Sequence, residues 1–403
     1  MTTVAEHATA TPVTKAEERR AAGVACGAHA LHDGYTDLIY VMLPIWQAEF
    51  GLSYAALGLL RSCFSGAMAG LQIPSGLLSE RWGVPLVLAG GTALSGLGYL
   101  IAGASVGFPM LVIALLIGGI GSSVQHPLAS ALVARAFAGP RSLKALGTYN
   151  FAGDIGKMTV PALASLMLVV MPWQPTVAIL GAAGFVAAAA IFLLIPRFPA
   201  EAVVPKEAKA QVTTAGRATK FAFPVLLSIG MIDSATRMAF LTFLPFLLIG
   251  KGASLPTVGL ALTLVFAGGA AGKLVCAFIG ARIGVIATVC LTEGLTTVLV
   301  LAMLPMPLEV ALIVLPVIGI ALNGTSSVLY GSVPLLVDPA KRTRAFSIFY
   351  TGTIGSGAAA PAIYGLLGDA TSVPTAVIVV AIVCLTTLPL ALILRPALPQ
   401  EAR

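Results

Sequence analysis

Charge is what this chain has least of. Only 10% of its 403 residues are Asp, Glu, Lys or Arg, against 58% hydrophobic, and the mean hydropathy is +0.98. Water-soluble domains carry about 25% charged residues, so a soluble globular fold is excluded. A single anchor on a soluble domain is excluded too, because apolar segments recur along the whole chain. Cysteine is scarce: Cys26, Cys63, Cys276, Cys290 and Cys384 fall singly, with no spacing for a disulfide framework or a zinc site. They read as small apolar packing residues. The first 20 or so residues mix acids and bases and lack the charged-then-apolar pattern of a signal peptide. No Gly-x-x-x-x-Gly-Lys-Ser/Thr phosphate loop occurs, and no enzyme signature survives a pass along the chain.

What remains is helix. A membrane-spanning helix needs about 20 apolar residues, and twelve segments qualify, at about 22–47, 54–79, 85–106, 109–136, 146–171, 175–196, 221–248, 255–280, 285–304, 307–336, 344–367 and 373–395. The predicted fold is all-α, with twelve transmembrane helices. Its organisation is a tail at 1–21, a six-helix bundle at 22–196, a polar linker at 197–220, a second six-helix bundle at 221–395 and a tail at 396–403. The net charge of +7 is distributed unevenly. Of the 23 basic residues, Lys251 alone falls in the loops of one side, and Arg61, Lys157, Arg237 and Lys273 fall inside spans. The rest gather on the side of the termini and the middle loop. The positive-inside rule makes that side cytoplasmic. The same placement argues for a membrane rather than a nucleic acid as partner.

The two halves repeat. At an offset of 201 residues (252 − 51), Leu43, Pro44, Gly51, Ser53, Gly58, Leu59, Arg81 and Gly83 meet Leu244, Pro245, Gly252, Ser254, Gly259, Leu260, Arg282 and Gly284. Further on, the Gly-Asp-Ile-Gly run at Gly153 recurs as Gly-Thr-Ile-Gly at Gly352. Two parallel six-helix repeats resemble the major facilitator architecture, whose substrate site lies near the midplane between the halves. The loop from Gly76 to Gly83 resembles that family's signature between spans 2 and 3, with Glu80 as the acid, Arg81 matching, and Val84-Pro85 in place of the usual basic pair. Gly76, Glu80, Arg81, Gly83 and, in the second copy, Arg282 are therefore expected to serve gating, the acid and arginine bridging helix ends. A closer resemblance is to the fosmidomycin resistance family of bacterial drug exporters. It rests on His29 and Asp33 in span 1, Gln47, Glu49, Phe50 and Gly51 at its end, and Gly121 to Val124 with His126-Pro127 in span 4. His32, Leu128 and Lys157 depart from that family's pattern.

Ionisable residues inside spans are costly and usually mark a functional path. In span 1, His29, Asp33, Asp37, Tyr40 and Pro44 recur every three or four residues and form one polar stripe. Two carboxylates a turn apart in low dielectric disfavour joint ionisation, so one is expected to carry a proton. Asp154 and Lys157 in span 5, and Asp233 and Arg237 in span 7, are spaced to neutralise each other within one helix. That leaves two readings: structural ion pairs, or cations offered to an anionic substrate with the acids as proton carriers. His126 is either a proton shuttle or a hydrogen-bonding residue at a kink. Lys273 either snorkels or meets substrate, and Glu293 is expected to pair with another helix. Arg61 reads as a residue of the outward gate.

The expected proton-coupling set is Asp33, Asp37, Asp154, Asp233 and His126. The expected substrate-binding set is His29, Tyr40, Gln125, Asn150, Lys157, Arg237, Lys273, Asn323 and Tyr330. The resemblance implies a proton-coupled exporter of a small toxic compound. The buried cations leave an importer of a small organic anion as the alternative, and a non-transporting membrane receptor stands further off. The expected setting is the bacterial inner membrane, with both termini cytoplasmic, the chain acting as a monomer with substrate, protons and lipid as its partners and with no cofactor, metal or nucleic acid.

Overall fold

The computed structural model describes residues 13–137, 140–198, 221–337 and 342–398, and among them it is helical throughout, with no strand. The linker at 199–220, most of the two tails and Lys341 lie outside the described residues. The helices are α1 Lys15–Phe50, α2 Tyr54–Gly70, α3 Gln72–Trp82, α4 Val84–Gly103, α5 Phe108–Ser122, α6 Gln125–Ala136, α7 Pro140–Val170 and α8 Trp173–Leu194. They continue with α9 Ala222–Gly250, α10 Leu255–Ile283, α11 Val285–Met303, α12 Leu308–Leu336, α13 Arg342–Ala370, α14 Val373–Leu385 and α15 Thr387–Leu394. They make twelve rods, because α2–α3, α5–α6 and α14–α15 are each one span with a break. Each break falls three residues before a proline, Pro74, Pro127 or Pro389, whose missing N–H leaves the carbonyl four residues back unpaired.

Nine rods among the described residues are long and apolar enough to cross a membrane by length and composition alone. The other three are α1 with its polar stripe, the broken α2–α3, and α13. Large side chains such as Leu166, Leu193, Ile313 and Ile382 point outward, as lipid-facing positions do. The first helix starts at Lys15 rather than near residue 22. Thr14 and Glu17 form a capping box, which carries the helix past its apolar part.

The repeat is visible in the backbone. The four described glycines with positive φ are Gly51, Gly83, Gly252 and Gly284 (61°, 82°, 91° and 82°), two pairs at the 201-residue offset. Only glycine takes this conformation without strain, so equivalent turns are built by equivalent residues. Ser53 and Ser254 likewise each cap the helix that follows, accepting from Ala56 N and Thr257 N.

The core is continuous at one end of the molecule and divided at the other. Toward the α1–α2 turn, Leu38, Leu43 and Trp46 of the first half pack in one cluster with Phe240, Leu244 and Val377 of the second. Toward the termini, each half has its own cluster, one around Val24, Leu128 and Leu132 and the other around Leu226, Ile229 and Val333. The two bundles therefore meet at the turn end and part toward the terminal end.

Candidate functional site

The polar stripe of α1 is buried where the halves converge. Asp33 and Asp37 are 7% and 5% exposed, and Tyr40 is wholly buried. Each carboxylate has its own cation from a different helix. Lys157 Nζ of α7 lies 3.4 Å from Asp33 Oδ2, and Arg61 Nη2 of α2 lies 4.0 Å from Asp37 Oδ1. Arg61 also donates to Tyr40 Oη at 3.1 Å and to Ser65 Oγ, and its guanidinium sits 4.9 Å from the Tyr40 ring centroid. Arg61 is thus a fully enclosed counter-ion to the stripe, and its Nη2 also lies 4.0 Å from Met238 Sδ of the other half. Helix α7 approaches α1 this closely through glycines. A Cβ on Gly153 would lie 2.6 Å from Asp33 Oδ2.

The expectation that neighbouring charges on one helix neutralise each other fails in both places. Lys157 serves Asp33, and Asp154 instead accepts from Lys273 Nζ of α10 at 2.6 and 2.8 Å. Lys273 does not snorkel away: it joins the two halves in the one ion pair among the described residues that does so. In α9, no described carboxylate lies within 4.0 Å of Arg237, and its buried Nε has no hydrogen-bond partner. Asp233 instead neighbours Glu293 of α11, which accepts from Cys384 Sγ of α14 at 2.9 Å. The pairing of Glu293 with another helix, expected from the sequence, is present.

The acids sit under the cations in a consistent order. Lys157 and Lys273 side chains are 31% and 40% exposed, above carboxylates exposed by 10% and 8%. The cations are thus more accessible than the carboxylates that hold them. His126 lies beside this group, its Nε2 3.3 Å from His32 Nε2, and Gln125 is buried with its Nε2 unpartnered. Asn150 is exposed on α7. Asn323 donates to Gly319 O of its own helix at 3.1 Å, and Tyr330 stacks on Tyr350 and reaches Thr353 at 3.3 Å. These last two stand in the second bundle and do not join the ion-pair group.

At the loop after α3, Gly83 makes the sharp turn expected of it, but Glu80 and Arg81 are exposed and form no ion pair among the described residues. The expected bridge is absent in this conformation, in which the halves have parted at that end. Arg282 lies over the Phe278 ring at 4.2 Å instead. The contact that does hold the halves was not read from the sequence. Asp369 at the end of α13 accepts from Tyr54 N and Ala55 N at 2.7 and 2.9 Å, capping α2 of the opposite bundle. Between α10 and α7, Thr263 donates to Met158 O at 3.0 Å. His32 departs from the family pattern, and its partner His126 lies 94 residues away.

Two six-helix bundles closed at one end around buried, cross-linked charges define a multi-pass membrane protein. The Major Facilitator Superfamily model matches residues 25–230 and again 226–403, and the chain belongs to that superfamily. Within it, the chain resembles the fosmidomycin resistance protein of Escherichia coli (strain K12), at 34% identity over 142 residues, covering 35% of this chain and 34% of that protein. The cephamycin export protein CmcT of Amycolatopsis lactamdurans is 31% identical over 152 residues, 38% of this chain and 31% of the relative. A probable L-galactonate transporter of Escherichia coli is 28% identical over 148 residues, 37% of this chain and 33% of the relative. The chain thus spans about a third of the length of the curated relatives it matches. A bacterial homologue of the lysosomal transporter Spinster, solved inward-facing, superposes with a TM-score of 0.79 at 14% identity, covering 96% of this chain and all of that one. The nucleoside transporter NupG gives 0.73 at 15% identity over 95% and 99% of the two chains. These likenesses concern the fold.

Proposed function

We propose that this transporter is a proton-coupled exporter of a small anionic toxic compound, phosphonate-like in chemistry. The observation that carries the reading is the arrangement of Lys157 and Lys273, half-exposed cations each held by a buried carboxylate from another helix. Ammonium and guanidinium heads at the edge of a low-dielectric cavity attract anions, and Arg237 adds a forked donor suited to phosphonate or carboxylate oxygens. A proton arriving at Asp154 cancels the charge that holds Lys273, freeing the ammonium for substrate and breaking the link between the bundles. A proton at Asp33 does the same for Lys157. Substrate leaving reverses both steps, so in this cycle anion and proton bind and leave together, which fits uptake; export by exchange requires that the two occupy the site in turn. Asp37, Asp233 and His126 complete the proton-carrying set, and His29, Tyr40, Gln125, Asn150, Asn323 and Tyr330 the polar lining. Gly76, Glu80, Arg81, Gly83 and Arg282 form the gate at the terminal end.

The exporter reading draws on the fosmidomycin and cephamycin relatives, whose names concern resistance and export. The probable L-galactonate transporter favours the second reading, proton-coupled uptake of an organic anion. In either case the chain works as a monomer in a bacterial inner membrane, its six-helix units at 22–196 and 221–395 and both termini in the cytoplasm. Expression in a strain stripped of its own exporters tests the direction. Raised tolerance to fosmidomycin with proton-dependent accumulation of labelled phosphonate in inverted vesicles is the expected result. Uptake of labelled carboxylate into whole cells with unchanged tolerance would favour the importer. Activity unaffected by dissipating the proton gradient would rule out both.

A further inference from the structure

We propose that His29, His32, Asp33 and His126 form a binding site for a divalent transition-metal ion of the zinc class, taken up in exchange for the Lys157 ammonium. Donor atoms of His29, Asp33 and His126 all lie within 4.8 Å of one another. Zinc binds nitrogen and oxygen donors at about 2.0–2.1 Å, so the edges of its tetrahedron are roughly 3.3–3.4 Å. Two edges here match that: His32 Nε2 to His126 Nε2 is 3.3 Å and His29 Nε2 to Asp33 Oδ2 is 3.4 Å, while His32 Nε2 stands 3.8 Å from the other carboxylate oxygen, Oδ1. Three imidazoles and one carboxylate suit zinc, cobalt or nickel rather than magnesium or calcium.

The orientation of His29 is the second, independent observation. Its Nδ1 lies 2.9 Å from Tyr149 O, and its ring stacks on Tyr149 at 4.0 Å between centroids. A hydrogen bond to a backbone carbonyl is the usual support of a metal-binding histidine, fixing the tautomer that leaves Nε2 as the ligand. That Nε2 is buried, in a residue 4% exposed, and has no hydrogen-bond partner. With Nδ1 as the donor, the Nε2 lone pair faces a carboxylate oxygen at 3.4 Å. Two acceptors keep that position only with a cation or proton between them.

Lys157 currently supplies the positive charge, at 3.4 Å from the same Oδ2. Its head is partly exposed and Asp154 stands one turn away on α7, so it has room to withdraw and a carboxylate to approach. Metal entry then converts the Asp33–Lys157 pair into a metal–carboxylate bond and turns Lys157 toward the charges that join the halves.

The test is cobalt(II) titration of the detergent-purified, chelator-treated full chain without an affinity-tag histidine run. One equivalent should give the visible absorption of four-coordinate nitrogen–oxygen cobalt. His126→Gln should weaken binding at least tenfold. Lys157→Met should strengthen it about tenfold, because the competing cation is gone; a site unrelated to Lys157 would not respond so. Gel filtration and thermal melting check that each variant is folded, and the wild-type and Lys157→Met titrations decide the matter without any histidine variant. A wild-type spectrum identical to that of free aqueous cobalt overturns the site, as does unchanged affinity in folded His126→Gln. Equal affinity in Lys157→Met and wild type overturns the exchange.

Discussion

Replacing Asp154 with Asn tests the link between the bundles most directly. At 2.6 Å and an effective dielectric of about 20, the attraction between the Asp154 and Lys273 charges is roughly 6 kcal/mol gross. Dehydrating two ions offsets most of it, and the 40% exposure of the Lys273 side chain discounts it further. A net contribution of about 1–2 kcal/mol remains, and 1.4 kcal/mol is a tenfold change in an equilibrium. Because the pair joins α7 to α10 in this arrangement, that energy favours the conformation closed at the turn end. Asp154→Asn should therefore shift the population toward opening there by roughly five- to thirtyfold. The assay is the labelling rate of a single cysteine introduced near Ser165, which packs on Gly259 of the opposite half, in a background lacking the five native cysteines. Lys273→Met should give a shift of similar size, and the double variant little more than either alone. If the bridge is only structural, the double variant transports normally. If Lys273 also meets substrate, labelling is as in the single variants but substrate affinity stays low. An unchanged labelling rate in both single variants would refute the reasoning.

Three further outcomes follow from the same geometry. Asp33→Asn should abolish proton-driven transport while leaving insertion and folding intact, and concentrative transport at the wild-type rate would make Asp33 structural. Asp369→Ala removes the acceptor for Tyr54 N and Ala55 N, a loss of about 1 kcal/mol on the scale of helix N-caps; it should raise turn-end labelling severalfold without altering thermal stability of the separate halves, and an unaltered labelling rate counts against the latch. Cysteines placed within 197–220 or at 341–344 should react only from the cytoplasmic side and one at 251 only from outside, with the reverse pattern overturning the charge-based orientation.

The fold was legible because its determinants are repeated many times along the chain. Twelve apolar stretches, a 201-residue offset and paired glycine turns each point to the same two bundles, and local errors such as the late start assigned to the first helix do not disturb them. The site was legible only by halves. Spacing along α1 correctly put His29, Asp33, Asp37 and Tyr40 on one face. Spacing along α7 and α9 suggested self-paired charges, yet Lys157 reaches Asp33, Asp154 reaches Lys273, and Asp233 reaches Glu293. Helical periodicity says which side chains share a face; it does not say which neighbouring helix that face meets. Asp369 shows the limit plainly, since its partners are two backbone N–H groups at the start of a helix more than three hundred residues earlier.

Glycine seams hold the helices inside each bundle. A Cβ on Gly156 would collide with the backbone of Ala30, one on Gly319 with that of Val265, and one on Gly96 with that of Gly181, so these helix pairs lie backbone to backbone. Such seams give way only by breaking, which makes each bundle a stiff plate. Between the plates one such seam runs along α2 and α13, where a Cβ on Gly58 would collide with the backbone of Pro361. Beside it stand a few polar clasps: one ammonium on a carboxylate, one carboxylate on a helix end, one hydroxyl on a carbonyl. Each plate moves as a unit, and a ligand or a proton that unfastens a clasp acts on the position of every helix at once.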